Sequence, residues 1–473
     1  MSRTERTARD LGAAVARGEI SAEADARSAL ERVSRMCWVG ALVSLEPDRV
    51  LEAAREVDLR RYEGQSLGPL AGVLFAVKDN IDVAGYATTA CTPALATNLP
   101  QEDADVVARL RAAGAVVLGK AAMHELAMGG TSINPHLPPV RNPLAPDHIA
   151  GGSSGGTAAA IAAGFCAFGL GSDTGGSVPI PTALCGIAGL RPSVGRYSSL
   201  GLFVTNPSRD VIGPMARTAD DLRLIDAIIS GQDACPVPAP ESLRLALPRR
   251  YFWEEADETV QRVLGASLER LAEAGISLVE TEVEDLEALN ALVSAGLRVE
   301  PSFGLPEALA ALASPVSIEN LAEQTRSPAV AEALTDIARG RGTRAQIEEA
   351  IRLHRPRLRR AFDEALDRAG ADALIVPATP LPAVPIGSEA GLTINGREVD
   401  FFSYTRATLP AANAGLPFLT IPASHLGSLP VGLGLIGRHG EDALLLATGT
   451  ACELALRTSA QVLAAEVASP GNL

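Results

Sequence analysis

Apolar residues recur every three to four positions through the first sixty residues, then from residue 69 condense into short unbroken runs. RTARDLGAAVARG (6–18) is amphipathic on a helical period, and Ser21 opens a second such pattern, SAEADARSALERVSRM, with Glu23 near its first turn. These predict a helical collar over residues 1–64. Beyond it, GVLFAVKD (72–79), DADVVARLRAAG (103–114) and AVVLGKA (115–121) alternate apolar run, helical period and apolar run, the pattern of a β-α-β arrangement. A long helical region between about 218 and 370 is interrupted by LRLALPRR and ISLVETEV, which read as strands. DALIVPATP (372–380) reads as a buried strand, GLPFLTIPA and LPVGLGLIG as two more, and DALLLATGTACELAL as a closing helix. No internal repeat or low-complexity linker divides the chain. The sum is an α/β protein: a large mixed sheet covered by helices on both faces, in one domain (65–473) that carries the collar and a variable region at 240–370.

Hydrophobic residues make up 47% of the 473 and charged residues 21%, enough to bury a large core. Asp and Glu outnumber Lys and Arg 56 to 41, and a net charge of -15 repels a phosphate backbone, so nucleic acid is excluded as a partner. The six cysteines (Cys37, Cys91, Cys166, Cys185, Cys235, Cys452) form no C-x-x-C pair, which argues against a disulfide framework or zinc site and fits a reducing cytoplasm. The N-terminus is polar, without the apolar segment of a signal peptide, and the longest apolar-leaning run, TAAAIAAGFCAFGLG, is too short to span a bilayer. No membrane partner is expected.

The stretch that carries chemistry is GGSSGGTAAAIAAG (151–164) with GSDTGGS (171–177). Gly151 to Gly155 satisfies G-x-S-x-G, but a nucleophile elbow needs a strand before it, and RNPLAPDHIA (141–150) has two prolines that predict coil. An elbow also needs a later histidine, and His354, His425 and His439 lie in no motif. A phosphate loop would require G-K-[ST], which is absent, and a third reading is a helix that simply packs closely on a sheet. The second cluster favours nucleophilic chemistry: Ser177 would attack, while Thr174, Gly175 and Gly176 offer backbone N–H groups to an oxyanion. Ser153 would relay the proton, and the base would be Lys78, which ends the run LFAV, where burial lowers an amine's pKa.

Taken together, LFAVKDN (74–80), GGSSGGTAAAIAAG and GSDTGGSVPIPTALCGIAGLRPSVGR (171–196) resemble the amidase signature family. KAAMHELAMGGTSIN (120–134), RNP (141–143), RDVIGPMART (209–218) and the C-terminal runs follow in that family's order, leaving residues 1–60 and 240–370 individual. MHELAMGGTS and GLRPSVGRYS look most like the branch of mandelamide and indoleacetamide hydrolases. The resemblance implies a triad of Lys78, Ser153 after a cis bond from Gly152, and Ser177, with an oxyanion hole from Thr174 through Ser177. It also implies that Ser154 hydrogen-bonds the lysine and that Asp173 organises the glycine turn. The implied reaction is hydrolysis of a small, aryl or apolar carboxylic amide through a seryl acyl-enzyme, with no metal or organic cofactor. Ala127, Met128, Gly129, Phe402 and Tyr404 are expected to bind substrate, with Leu297, Phe303, Leu305 and Phe401 as further candidates for the acyl pocket. Assembly is open between monomer and homodimer.

Two departures from the family pattern stand out. Pro179 replaces an arginine two residues after Ser177, so Asp173 is expected to lack a cationic neighbour, and Ala122 replaces an asparagine. Competing readings are an amidotransferase-type subunit or a non-catalytic homologue working in a complex, and an allophanate-like hydrolase.

Overall fold

The run LFAVK forms the strand Leu74–Lys78, buried at all five positions. Strands with apolar residues on both faces need a covered sheet, and the two cores here divide by side-chain alternation. Phe75, Val77, Val117, Phe168 and Leu170 face one core with Val106 and Leu110 of helix Asp105–Ala112 and Leu222 and Ile225 of helix Ala219–Ser230. Leu74, Ala76, Val116 and Leu118 face the other, with Val15, Ala26 and Val50 of the N-terminal helices and Ala158, Ala159 and Ile161 of helix Gly155–Ala162. Helices therefore cover both faces of a single-domain α/β fold. The computed structural model describes residues 6–312, 315–340, 342–388 and 390–468, with side chains to 457.

Among these residues one mixed sheet of 11 strands runs Leu42–Ser44, Val116–Ala121, Leu74–Lys78, Phe168–Asp173, Val211–Ala216, Ala188–Arg191, Phe418–Leu426, Leu429–Ile436, Ala373–Pro377, Arg244–Pro248, Ser277–Thr281. Leu74–Lys78 lies parallel to both of its neighbours, with Phe75 opposite Phe168 and their rings stacked at 5.1 Å. That register brings the carboxyl ends of two parallel strands together, carrying Lys78 on one and Ser172 and Asp173 on the other. Such ends are where open α/β sheets hold ligands.

The N-terminal segment forms the expected helices, with Thr7 and Ser21 accepting cap hydrogen bonds from Asp10 and Ala24. It is not purely helical: Leu42–Ser44 pairs antiparallel with Val116–Ala121 and supplies an edge strand. The 240–370 region likewise contributes the two strands at the far edge. RNPLAPDHIA, expected as coil, is a two-stranded ribbon of Arg141–Asn142 and Ala145–Ile149. Pro143 falls in its turn, and a ribbon of two strands has free edges, so Pro146 can sit in it without breaking a central ladder. Among the described residues no helix is long and apolar enough to cross a membrane.

Helix Gly155–Ala162 explains its own composition. It lies so close to the sheet that a Cβ on Gly156 would come within 2.3 Å of the Ala122 carbonyl oxygen. Its N–H donates to that same oxygen at 3.0 Å, fixing the serines just before the helix against the strand-end residues.

Candidate active site

Lys78 is fully buried at its strand end. Its Nζ lies 2.7 Å from Ser153 Oγ, 2.9 Å from Ser172 Oγ and 3.1 Å from the Ser172 carbonyl. Burial lowers the Lys78 pKa to about 7, against the opposing charges of Asp173, Asp210 and Cys91. A neutral amine fits this cage: two N–H groups serve the Ser172 oxygens, and the lone pair faces the Ser153 hydroxyl. Asn80 Nδ2 donates to Ser172 Oγ at 2.9 Å and holds that hydroxyl in place. Ser154 does not touch the lysine as the resemblance implied; its hydroxyl donates to the Ser172 carbonyl at 3.1 Å and accepts from the Ser172 N–H at 3.3 Å. Its support for Lys78 is therefore indirect, through Ser172.

The Gly152–Ser153 peptide bond is cis. The Ser153 carbonyl accepts from His124 N–H at 3.2 Å and from Ser132 Oγ at 3.3 Å. One residue on, Ser154 N–H donates to the Ser177 carbonyl at 3.2 Å, which ties the two serine clusters together. Ser177 is half-buried, and its hydroxyl has no hydrogen-bond partner among the described residues. The N–H groups of Thr174, Gly175 and Ser177 are also without partners there. Gly176 differs from expectation: its N–H is already bonded to the Asp173 carboxylate at 3.0 Å. The free donor set is thus three groups rather than four.

Asp173 also accepts from Val178 N–H at 2.7 Å, so its carboxylate pins the turn on both sides of Ser177. It does not lack a cation. Arg191, buried on the strand Ala188–Arg191, donates to Asp173 Oδ1 at 2.6 Å and to its carbonyl at 2.9 Å. The charge absent at Pro179 is supplied from the sheet instead. Removing one member of a buried ion pair strands the other, so Arg191→Leu should cost about 3–5 kcal/mol of stability, measured by urea denaturation. A change below about 1 kcal/mol would mean that the pair does not anchor the turn.

The expected substrate residues divide. Ala127 and Met128 pack against the apolar cluster of Phe203, Leu305 and Leu309. Phe402 is 78% exposed and lines a cavity of about 430 Å³ with Tyr251, Asn290, Arg397, Arg406 and Leu409. Leu409 carries this cavity toward the serine turn, since a Cβ on Gly175 would meet its Cδ1 at 3.0 Å. Tyr404 is a packing residue: fully buried, stacked on Phe401, its hydroxyl donating to the Pro382 carbonyl at 2.6 Å. Leu297 and Leu305 are also fully buried, and Phe303 lies under the Arg344 guanidinium.

A family model described as Amidase matches residues 27–446. The chain belongs to the amidase family. Its relatives include the indoleacetamide hydrolase of Agrobacterium vitis, 36% identical over 88% of this chain and 90% of that one. The mandelamide hydrolase of Pseudomonas putida is 36% identical over 88% and 85%. A glutamyl-tRNA(Gln) amidotransferase chain of Salinibacter ruber is 36% identical over 93% and 98%. Among solved structures, the native peptide amidase of Stenotrophomonas maltophilia superposes with a TM-score of 0.84 at 29% identity, covering 96% of this chain and 98% of that one. This amidase is a hydrolase acting on amide bonds. Sequence reasoning passed over four of the residues at its site: Ser172, Asn80, Arg191 and His124. Ser172 and Asn80 lie inside quoted motifs, and His124 stands in MHEL; a search for polar residues flanking each motif would have found them.

Proposed function

We propose that this amidase hydrolyses small carboxylic amides through a seryl acyl-enzyme. The observation that carries the reading is the buried Lys78 amine, its pKa lowered to about 7, 2.7 Å from Ser153 Oγ. Ser177 Oγ attacks the amide carbonyl; its proton passes to Ser153 Oγ, and the Ser153 proton passes to Lys78 Nζ. The free N–H groups of Thr174, Gly175 and Ser177 stabilise the oxyanion. As the C–N bond breaks, the relay returns a proton to the leaving nitrogen. Water then attacks the ester by the same relay, releasing the acid and restoring Ser177. Nucleophile, base and oxyanion donors all come from the chain.

The acyl group is aryl or apolar. The names of the indoleacetamide and mandelamide relatives support this, as does a cavity of about 430 Å³ with Phe402, Tyr251 and Leu409 in its wall. Tyr251, Glu255 and Asn290 in that wall come from the 240–370 region, which supports its role as the substrate-shaping part of the 65–473 domain, framed by the 1–64 collar. Six cysteines held as free thiols support a cytoplasmic setting. Ammonia release should be measured with the purified chain alone on aryl-acetic, mandelic, aliphatic and dicarboxylic primary amides. We expect the aryl members to turn over fastest. Turnover of small charged amides alone would remove the aryl reading, and no turnover without a partner would move the protein to the complex-bound class.

A further inference from the structure

A peptide unit is planar, so whatever grips its carbonyl also aims the N–H on its far side. Two of the three free donors in the serine turn are aimed in this way. Thr174 N–H shares a peptide with the Asp173 carbonyl, to which Arg191 donates at 2.9 Å. Ser177 N–H shares one with the Gly176 carbonyl, which accepts Ile180 N–H at 2.9 Å. Gly175 N–H is the exception: its peptide carries the Thr174 carbonyl, which has no hydrogen-bond partner among the described residues.

The hold comes instead through the Thr174 side chain. Its Oγ1 donates to Asp210 Oδ1 at 2.5 Å, while Asp210 Oδ2 accepts Thr205 N–H and Asn206 N–H, both at 2.8 Å. Asp210 N–H donates to the Asn206 carbonyl at 2.8 Å, so the carboxylate is anchored in its own loop before it reaches Thr174. A hydrogen bond to an ionised acceptor is of the stronger kind. Thr174 is the residue between the two peptides that end in Thr174 N–H and Gly175 N–H. Fixing the direction of its side chain therefore fixes how those two donors lie relative to each other. Donors held in advance stabilise an oxyanion best, because nothing has to reorganise as the charge develops.

We propose that Asp210 is a positioning residue of the reaction: by gripping the Thr174 hydroxyl it sets the angle between the Thr174 and Gly175 N–H groups, so that both meet the oxyanion. This rests on the acyl-enzyme reading above. Asp210 acts through Thr174 rather than on the substrate. Its charge also reaches the relay: burial lowers the Lys78 pKa, and Asp173 and then Asp210 oppose that shift. The other titratable or charged groups around the amine are Cys91 and His124, with Asp79 next in sequence and paired to Lys120 at 3.3 Å. Loss of the Asp210 charge therefore leaves Lys78 neutral to a lower pH.

The test measures kcat, KM and the pH profile for the amide that wild type turns over fastest, using wild type, Thr174→Val, Thr174→Ser and Asp210→Asn. Rates are expressed per active site, counted by fluorophosphonate labelling, so that misfolded protein does not contribute. Thr174→Val keeps the side-chain shape and the backbone N–H but loses the hydroxyl. Its kcat should fall about tenfold or more, with KM within about twofold of wild type. Thr174→Ser, which restores a hydroxyl, should recover most of that rate. The acid limb of kcat/KM should stay in place in both Thr174 variants, which keep the carboxylate, and move to lower pH in Asp210→Asn, which loses its charge. Full kcat in Thr174→Val, an equal loss in Thr174→Ser, or a loss confined to KM overturns the inference while the amidase reading stands. An acid limb unmoved in a folded Asp210→Asn also overturns it, and the Thr174 pair decides the matter if that variant does not fold. No amide turned over by wild type removes the acyl-enzyme reading and this inference with it.

Discussion

Ser177→Ala should lower kcat by roughly 10⁴-fold while the protein stays folded. The geometry argues for both halves of that result. Ser177 Oγ has no hydrogen-bond partner among the described residues, so its removal orphans no buried group. The backbone around it is held independently, by Ser154 N–H on its carbonyl and by the Asp173 carboxylate on Gly176 and Val178. The three free N–H groups survive the substitution, so a small residual rate over water is expected from oxyanion stabilisation alone. Initial rates of ammonia release, with a thermal melt on the same sample, check the outcome. A variant that kept the full rate would remove Ser177 as nucleophile.

The second large effect is on pH dependence. Lys78 can take a proton only when neutral, and its pKa is lowered to about 7. Below that value the amine is cationic and the relay has no acceptor; above it the amine is free. The kcat/KM profile should therefore fall about tenfold per pH unit below roughly pH 7 and level off above it. Lys78→Met, which keeps the length of the side chain, should lower the rate by about 10³-fold or more and abolish that acid limb. An acid limb that persisted in Lys78→Met would belong to another group. His124, at about 4, is too acidic to supply it.

Much of this site is legible because its parts are local in sequence. LFAVK marks its own strand by an unbroken apolar run, and GGSSGG marks a helix start that must approach a sheet closely, as Gly156 does. What escapes depends on pairings that no local pattern encodes. Ser172 meets Lys78 because Phe75 and Phe168 share a register, and nothing near either residue announces that pairing. Arg191 meets Asp173 across the sheet, so a charge missing at Pro179 reads as a loss from the adjacent sequence alone. Tyr404 shows the opposite limit: an aromatic residue near an exposed one, Phe402, reads as a pocket wall, although alternation of exposure in a short helix turns one outward and one into the core.

The sheet order also sets a timetable. Lys78, Ser153 and Ser177 are made well before Phe418–Leu426, the strand that pairs with Ala188–Arg191 and sets Leu419 opposite Leu190. The cover over the serine turn arrives at the same stage, since Thr408 Oγ1 donates to the Gly175 carbonyl at 2.7 Å and Leu409 packs against Gly175. Contacts so distant along the chain are slow to form. A growing chain therefore carries Lys78, Ser153 and Ser177 long before the strand and the cover that enclose the serine turn have been made.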